Sequence, residues 1–197
     1  MTRKMTGRIW TLLASLLLVH VFASHTRAQE KLNLSYAALG GANSIWNIAK
    51  EAGFYKRRGI DAEVVYIAST TLSAAAVLSG HIQVGMVAGS GVVNSAASGA
   101  DLVSVACFVN ALDYELVVQV PIDSPEKLKG KSVGISRFGS VTDVAARSFL
   151  AELKLRPGDD VILRQIGGAA ERAAAFRRGA VAGILSTTGS IHLLGEA

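Results

Sequence analysis

Strand-like and helix-like segments alternate along most of this chain, and that order constrains its fold more than any other feature. Residues 31–37 alternate apolar with polar side chains, as a strand does. Apolar residues between 45 and 52 recur at helical spacing and stop at Gly53, and residues 61–67 predict a second strand. Because the helices are long enough to connect parallel strands, the sequence predicts an α/β fold.

The alternation continues in two series, which a break around residues 121–130 separates. We therefore predict two α/β lobes, residues 29–112 and 113–197, which meet near residues 110–120. Residues 192–197 look like the middle of a helix, so we expect a C-terminally truncated chain with an incomplete second lobe. The further predicted strands are residues 84–88, 103–108, 114–120, 132–135, 161–165 and 182–185, and the further helices end near Ser79 and Gly99 or lie at residues 141–154, near 171–178 and after 188.

Residues 1–28 predict a cleavable secretory signal. Three basic residues, Arg3, Lys4 and Arg8, precede an uncharged apolar run at residues 9–23. Small residues near positions 23 and 28 leave two cleavage sites open. The run is shorter than a spanning helix, although an uncleaved anchor is the alternative. No Cys follows the run, which favours a soluble exported product over a lipid-modified one.

The charge balance changes once this segment is removed. The whole chain carries a formal net charge of +5, but four of its 20 Lys and Arg residues lie in the predicted signal. Sixteen basic against 15 acidic residues then leave +1, which gives no reason to expect nucleic acid as a partner. Cys107 is the single cysteine, so an internal disulfide is impossible, and its apolar surroundings predict a buried thiol.

Candidate binding residues lie in the loops that follow the predicted strands. Ligands of open α/β sheets bind beyond the carboxyl ends of the strands, where helix N-termini present free N–H groups. These loops are rich in Gly, Ser, Thr and Asn, which suits a small oxyanion; alternatively, each loop only caps its own helix. Arg137 is their one cation and the candidate partner of an anionic group, unless it is merely exposed. Asp143 would balance Arg137 or stabilise its own helix terminus. The loops are residues 40–43, 68–71, 89–91, 136–143 and 186–190.

Catalytic and metal-binding patterns are scarce in this sequence. Only His81 and His192 follow the predicted signal, and Cys107 has no evident partner. The chain contains no nucleophile-elbow, zinc-protease or phosphate-loop motif. We therefore predict neither an enzyme nor a cofactor or metal site.

Five segments resemble periplasmic solute-binding proteins of the nitrate, sulfonate and taurine type, the SsuA/THI5-like or NMT1 family. They occur in the order in which that family has them and cover most of the predicted mature chain. They are AKEAGFY at residues 49–55, GIDAEVV at 59–65, LSGHIQVG at 78–85, LKGKSVGI at 128–135 and AAFRRGAV at 174–181.

The resemblance implies a two-lobed fold of the periplasmic binding protein type (type II). It implies a monomeric receptor in the periplasm that captures a small solute and delivers it to an ABC importer permease in the inner membrane. Family members extend beyond residue 197, and Ala182 replaces an acid that is common at its position. Carried onto this sequence, the family's binding loops predict ligand contacts from Asn43, Ser69, Thr70, Thr71, Ser90, Asn110, Arg137, Gly139, Ser140, Thr142 and Asp143.

Two other functions remain open from the sequence. Pyrimidine-precursor synthesis enzymes of thiamine metabolism share this fold, but they are cytosolic and have a Cys-rich motif, whereas this chain has one Cys and a predicted export signal. An exported ligand sensor or a non-functional fragment is the third hypothesis. The sequence leaves the identity of the solute open.

Overall fold

The computed structural model describes residues 29–38 and 41–195. The predicted signal, residues 1–28, lies outside the described residues. The strands are β1 (Glu30–Tyr36), β2 (Ile60–Tyr66), β3 (Val84–Gly85), β4 (Tyr114–Val118), β5 (Ser132–Ile135), β6 (Ile162–Gln165) and β7 (Gly183–Thr187). The α-helices are α1 (Ile45–Glu51), α2 (Phe54–Arg57), α3 (Thr70–Leu78), α4 (Gly89–Ala97), α5 (Pro125–Leu128), α6 (Val141–Glu152) and α7 (Ala169–Arg177), and 3-10 helices span Gly41–Ser44 and Thr188–Leu194.

The strands form two separate sheets. The first has the order β2-β1-β3 and is parallel throughout, with Tyr36 beside Tyr66 and Leu34 beside Val84. The second has the order β4-β7-β5-β6, in which only β4 runs antiparallel to its neighbour. The predicted two-lobed α/β fold is confirmed, while the boundary at residues 112 and 113 stays a prediction.

The second lobe contains the larger apolar core. Val133 and Ile135 of β5 are completely buried, as is Leu150 on the inner face of α6. The alternating apolar residues of the short strands and the apolar face of α6 meet in this cluster, to which Val161 and Leu185 also belong. Burial of these side chains supplies the main stabilisation of the lobe.

The predicted strand at residues 103–108 is wrong, and so is the predicted burial of Cys107. Residues 103–110 form no strand, Val103 and Val105 are 77% and 84% exposed, and Cys107 is exposed as well. A strand needs a neighbour that supplies backbone donors and acceptors, and none of the described strands lies beside this segment. In the described part of the chain, none of the helices is both long and apolar enough to cross a membrane.

Replacing Leu150 with Ala should destabilise the protein by about 2–5 kcal/mol, because the substitution leaves a cavity in the buried cluster. Leu153 is the matched control, since it ends the same helix but is 38% exposed. Leu153→Ala should cost less than about 1 kcal/mol. Urea unfolding followed by circular dichroism measures both values, and equal losses would contradict the assigned core.

Candidate functional site

A cavity of about 20 Å³ lies where the two sheets face each other, and both lobes contribute to its wall. This volume has room for about one water molecule. The lobes are therefore closed on each other, and entry of a larger solute requires them to separate. The lining residues are Ala37, Ala38, Ala68, Ser69, Thr70, Tyr114, Ser136, Val141, Thr142, Ala169, Arg172, Thr187 and Ser190.

Three helices begin at this cavity. Thr70 is the first residue of α3, Val141 of α6 and Ala169 of α7, and all three residues line the cavity wall. The N–H groups in the first turn of a helix lack intrahelical partners, and each N-terminus carries roughly half a positive charge. The cavity therefore lies at the meeting point of three partial positive charges.

Arg172 adds a full positive charge to the same place. Its side chain is only 5% exposed, with Nε donating to the Leu185 carbonyl at 3.1 Å and Nη1 donating to the Gly167 carbonyl at 2.7 Å. Burial lowers the pKa of Arg172 from its ordinary value, while Tyr114, Tyr66 and Glu171 raise it. An arginine stays protonated despite such shifts.

Glu171 raises the pKa of Arg172, but no carboxylate of the described residues forms a salt bridge with this guanidinium. None of the cavity-lining residues is Asp or Glu, and Arg172 forms none of the recorded salt bridges. Both of its hydrogen-bond acceptors are neutral backbone carbonyls. A buried charge without a salt-bridge partner is costly, and an anion in the cavity would compensate it.

Hydroxyl groups make up most of the remaining polar wall, and they are linked to one another. Thr142 Oγ1 accepts the Ser136 N–H at 2.8 Å and lies 2.9 Å from Ser136 Oγ. Thr187 Oγ1 and Ser190 Oγ, also in the wall, are 2.8 Å apart. These bonds hold the hydroxyls in fixed orientations around the cavity, and a hydroxyl can donate a hydrogen bond to an anion.

Two polar contacts connect the lobes beside the cavity. The Val141 N–H donates to Thr70 Oγ1 at 3.3 Å. The Tyr66 hydroxyl lies against Gly168 of the second lobe, and the Tyr66 ring packs on Tyr36 with ring centroids 5.4 Å apart. Burial, followed by Glu171, raises the pKa of Tyr66 above its ordinary value of 10.0, so the hydroxyl is neutral at physiological pH.

Some of the sequence-predicted site residues meet at the cavity. Ser69, Thr70 and Thr142 line it. Ser140 is buried behind the wall, where its hydroxyl donates to the Arg137 carbonyl at 2.7 Å. Asp143 accepts the Gly139 N–H at 2.8 Å and pairs with Arg147 at 2.9 Å, so it balances Arg147 rather than Arg137.

The other predicted residues lie outside the cavity wall. Arg137 and Asn110 are exposed to solvent, and Thr71 donates its N–H to Ser69 Oγ as part of a local helix cap. The remaining residues outside the lining are Asn43, Ser90 and Gly139.

Arg172 was not among the predicted residues, because it lies within a helix rather than in a loop. One signal was available: α7 was predicted to begin near Glu171, and helix N-termini disfavour cations in their first turn. An arginine close to a helix N-terminus therefore indicates a role other than stabilising the helix, and Arg172 is buried beside the cavity.

Replacing Thr142 with Val should cost about 1–3 kcal/mol, because the buried Ser136 N–H loses its acceptor. Thr142→Ser retains the hydroxyl and should cost less than about 1 kcal/mol. Chemical denaturation of both variants measures the difference. A Thr142→Val variant as stable as the unsubstituted protein would show that the linked hydroxyls do not order this wall.

Comparison with known proteins places this architecture in a family. A family model described as "NMT1/THI5 like" matches residues 45–189, whereas a search of curated proteins found no match. The family resemblance seen in the sequence is thereby confirmed.

Solved structures share the fold. A protein from Bordetella bronchiseptica RB50 is 25% identical with a TM-score of 0.72, over 85% of this chain and 54% of that one. The periplasmic aliphatic sulphonate binding protein SsuA from Escherichia coli is 24% identical with a TM-score of 0.57, over 81% and 51%. The periplasmic nitrate-binding protein NrtA from Synechocystis PCC 6803 is 16% identical with a TM-score of 0.52, over 82% and 47%. This chain thus spans about half the length of these structures, and it belongs to the NMT1/THI5-like family.

Proposed function

We propose that this chain is the exported solute-binding component of an ABC importer and captures a small anionic solute between its two lobes. The observation that carries the proposal is the cavity without acidic residues at which three helix N-termini and the buried Arg172 converge. The similarity in fold to periplasmic binding proteins for sulphonate and nitrate supports it.

The positive charges around the cavity explain how an anionic solute would favour closure of the lobes. When the lobes approach, α3 of the first lobe points its positive end towards those of α6 and α7 in the second. Like charges oppose this approach, and Arg172 increases the opposition. An anion between the lobes reverses the sign of these interactions, so it binds the closed form better than the open form and shifts the population towards closure.

The donors around the cavity indicate an oxyanion. Backbone N–H groups at helix N-termini, hydroxyls and one guanidinium can surround several oxygen atoms at once. Sulfonates, taurine and nitrate have oxygens that such a site can hold. We include carboxylates among the candidates, because the same groups can donate hydrogen bonds to carboxylate oxygens.

The remaining parts of the proposal follow from the family's way of working. The protein acts in the periplasm as a monomer, passes its solute to a permease in the inner membrane and does not bind nucleic acid. It binds without turnover, in contrast to the thiamine-pathway enzymes that share its fold.

A thermal-shift panel of methanesulfonate, taurine, nitrate, acetate and a pyrimidine tests the function. One or more anions should stabilise the protein saturably, by about 2.7 kcal/mol at a concentration 100 times the dissociation constant. The pyrimidine is the neutral control. Stabilisation by no anion, or formation of a product from any compound, would contradict the proposal.

Two arginine variants identify the cation that holds the anion. Arg172→Met should weaken binding of the best anion about 10- to 150-fold, since a hydrogen bond to a charged group is worth about 1.5–3 kcal/mol. Arg137→Ala is the matched control, because that arginine is exposed in a loop of the same lobe, and it should change affinity less than about twofold. Isothermal titration calorimetry measures both, after circular dichroism has confirmed folding. The reverse pattern would move the site to the Arg137 loop.

A further inference from the structure

We propose that Tyr66 and Gly168 form a latch between the lobes, which favours the closed form and thereby sets solute affinity without touching the solute. The effect on affinity rests on the proposed function. The effect on closure does not, because both partners belong to the protein.

The latch joins the end of a strand in the first lobe to the start of a helix in the second. Tyr66 is the last residue of β2, and Gly168 is the residue that precedes the first turn of α7. The Tyr66 hydroxyl lies against the backbone at the start of α7, where the backbone of Ala169 lowers the pKa of Tyr66. Tyr66 is absent from the cavity wall, so its contact with the second lobe is separate from the contacts available to a solute.

Gly168 provides the space for this contact. Its backbone angles, φ −66° and ψ −178°, are open to any residue, so backbone conformation gives no reason for a glycine here. A Cβ at this position would lie 2.6 Å from the Tyr66 hydroxyl oxygen and 3.2 Å from the Cβ of Ala68, both in the first lobe. It would also lie 2.7 Å from Glu171 Oε2, the end of a flexible side chain. Any side chain at this position therefore acts as a wedge between the lobes.

Hydroxyl groups of the first lobe, from Tyr66 and Thr70, take the place of local N-caps on two helices of the second lobe. Glycine at the N-cap of α7 offers no side-chain acceptor, and Ser140 at the N-cap of α6 makes no capping bond. Instead, the Tyr66 hydroxyl lies against the start of α7, and Thr70 accepts the first N–H of α6. When the lobes separate, both helix ends lose these partners, so opening has a cost that does not depend on solute.

This cost adjusts affinity through the closed population. Apparent affinity falls in proportion to the fraction of protein in the binding-competent form. Loss of one neutral hydrogen bond changes an equilibrium about 2- to 10-fold. Tyr66→Phe should therefore reduce the closed-to-open ratio by that factor, and Gly168→Ala by at least as much.

The variants are measured first without solute. Small-angle X-ray scattering gives the radius of gyration of the full chain, and amide hydrogen exchange of Ala169 reports the contact locally. Tyr66→Phe and Gly168→Ala should increase both the radius and the exchange rate. Tyr36→Phe is the matched control, because it removes a hydroxyl from the other ring of the same aromatic pair and should change neither.

The double variant tests whether the two residues act on one contact. Removing the Tyr66 hydroxyl also removes the oxygen nearest to a Cβ at position 168, so Tyr66→Phe should cause no further opening in the Gly168→Ala background. Additive effects, unchanged scattering and exchange in both single variants, or an equal response of Tyr36→Phe would overturn the latch.

Titration with methanesulfonate then separates the two proposals. Weaker binding by the latch variants, about 2- to 10-fold and with Tyr36→Phe unaffected, supports both of them. Opening of the variants without any methanesulfonate binding by the unsubstituted protein supports the latch but overturns its link to sulfonate affinity. Methanesulfonate binding that the latch variants leave unchanged overturns the latch as a determinant of affinity and leaves the proposed function standing.

Discussion

The convergence of three helix N-termini on one small cavity is the constraint on which the rest of this structure depends. It follows from the topology, because in parallel βα units each helix begins at the carboxyl edge of the sheet. Facing the two sheets across a cleft brings α3 of one lobe opposite α6 and α7 of the other. Arg172 lies within this arrangement, held by two backbone carbonyls and without a salt bridge to any described acid.

Two opposing sets of interactions determine the stability of the closed form: repulsion between positive charges and polar contacts between the lobes. Positive helix ends and a buried guanidinium oppose closure, whereas the contacts of Tyr66 and Thr70 with the second lobe favour it. An anion in the cavity would attract the positive helix ends of both lobes and so favour the closed form. Affinity would then depend on the residues around the solute and also on contacts that the solute never reaches, such as the one between Tyr66 and Gly168.

The sequence predicted those parts of the fold that local periodicity determines. The alternation in residues 31–37 and 61–67 and the apolar spacing of α6 became strands and a helix close to the expected positions. Residues 103–108 have the same apolar character but no strand beside them among the described residues, and a pattern within one segment cannot reveal whether a partner is present.

The candidate site was partly predictable for a similar reason. Ser69, Thr70 and Thr142 lie in the loops and helix starts that follow strands, so the rule that ligands bind at strand ends placed them at the cavity. The same rule selected Arg137, which is exposed. It passed over Arg172, because this residue reaches the wall of the cavity only through the packing of α7 against β7.

Anomalous diffraction from a crystal soaked in selenate shows most directly whether this cavity binds an anion. Selenium identifies the position of the oxyanion without reference to any assumed contact. An anomalous peak should lie between Arg172 and the N-termini of α3, α6 and α7, with the lobes parted enough to admit the ion. Selenium bound only at exposed basic side chains, with the cavity unoccupied, would contradict anion binding in the cavity.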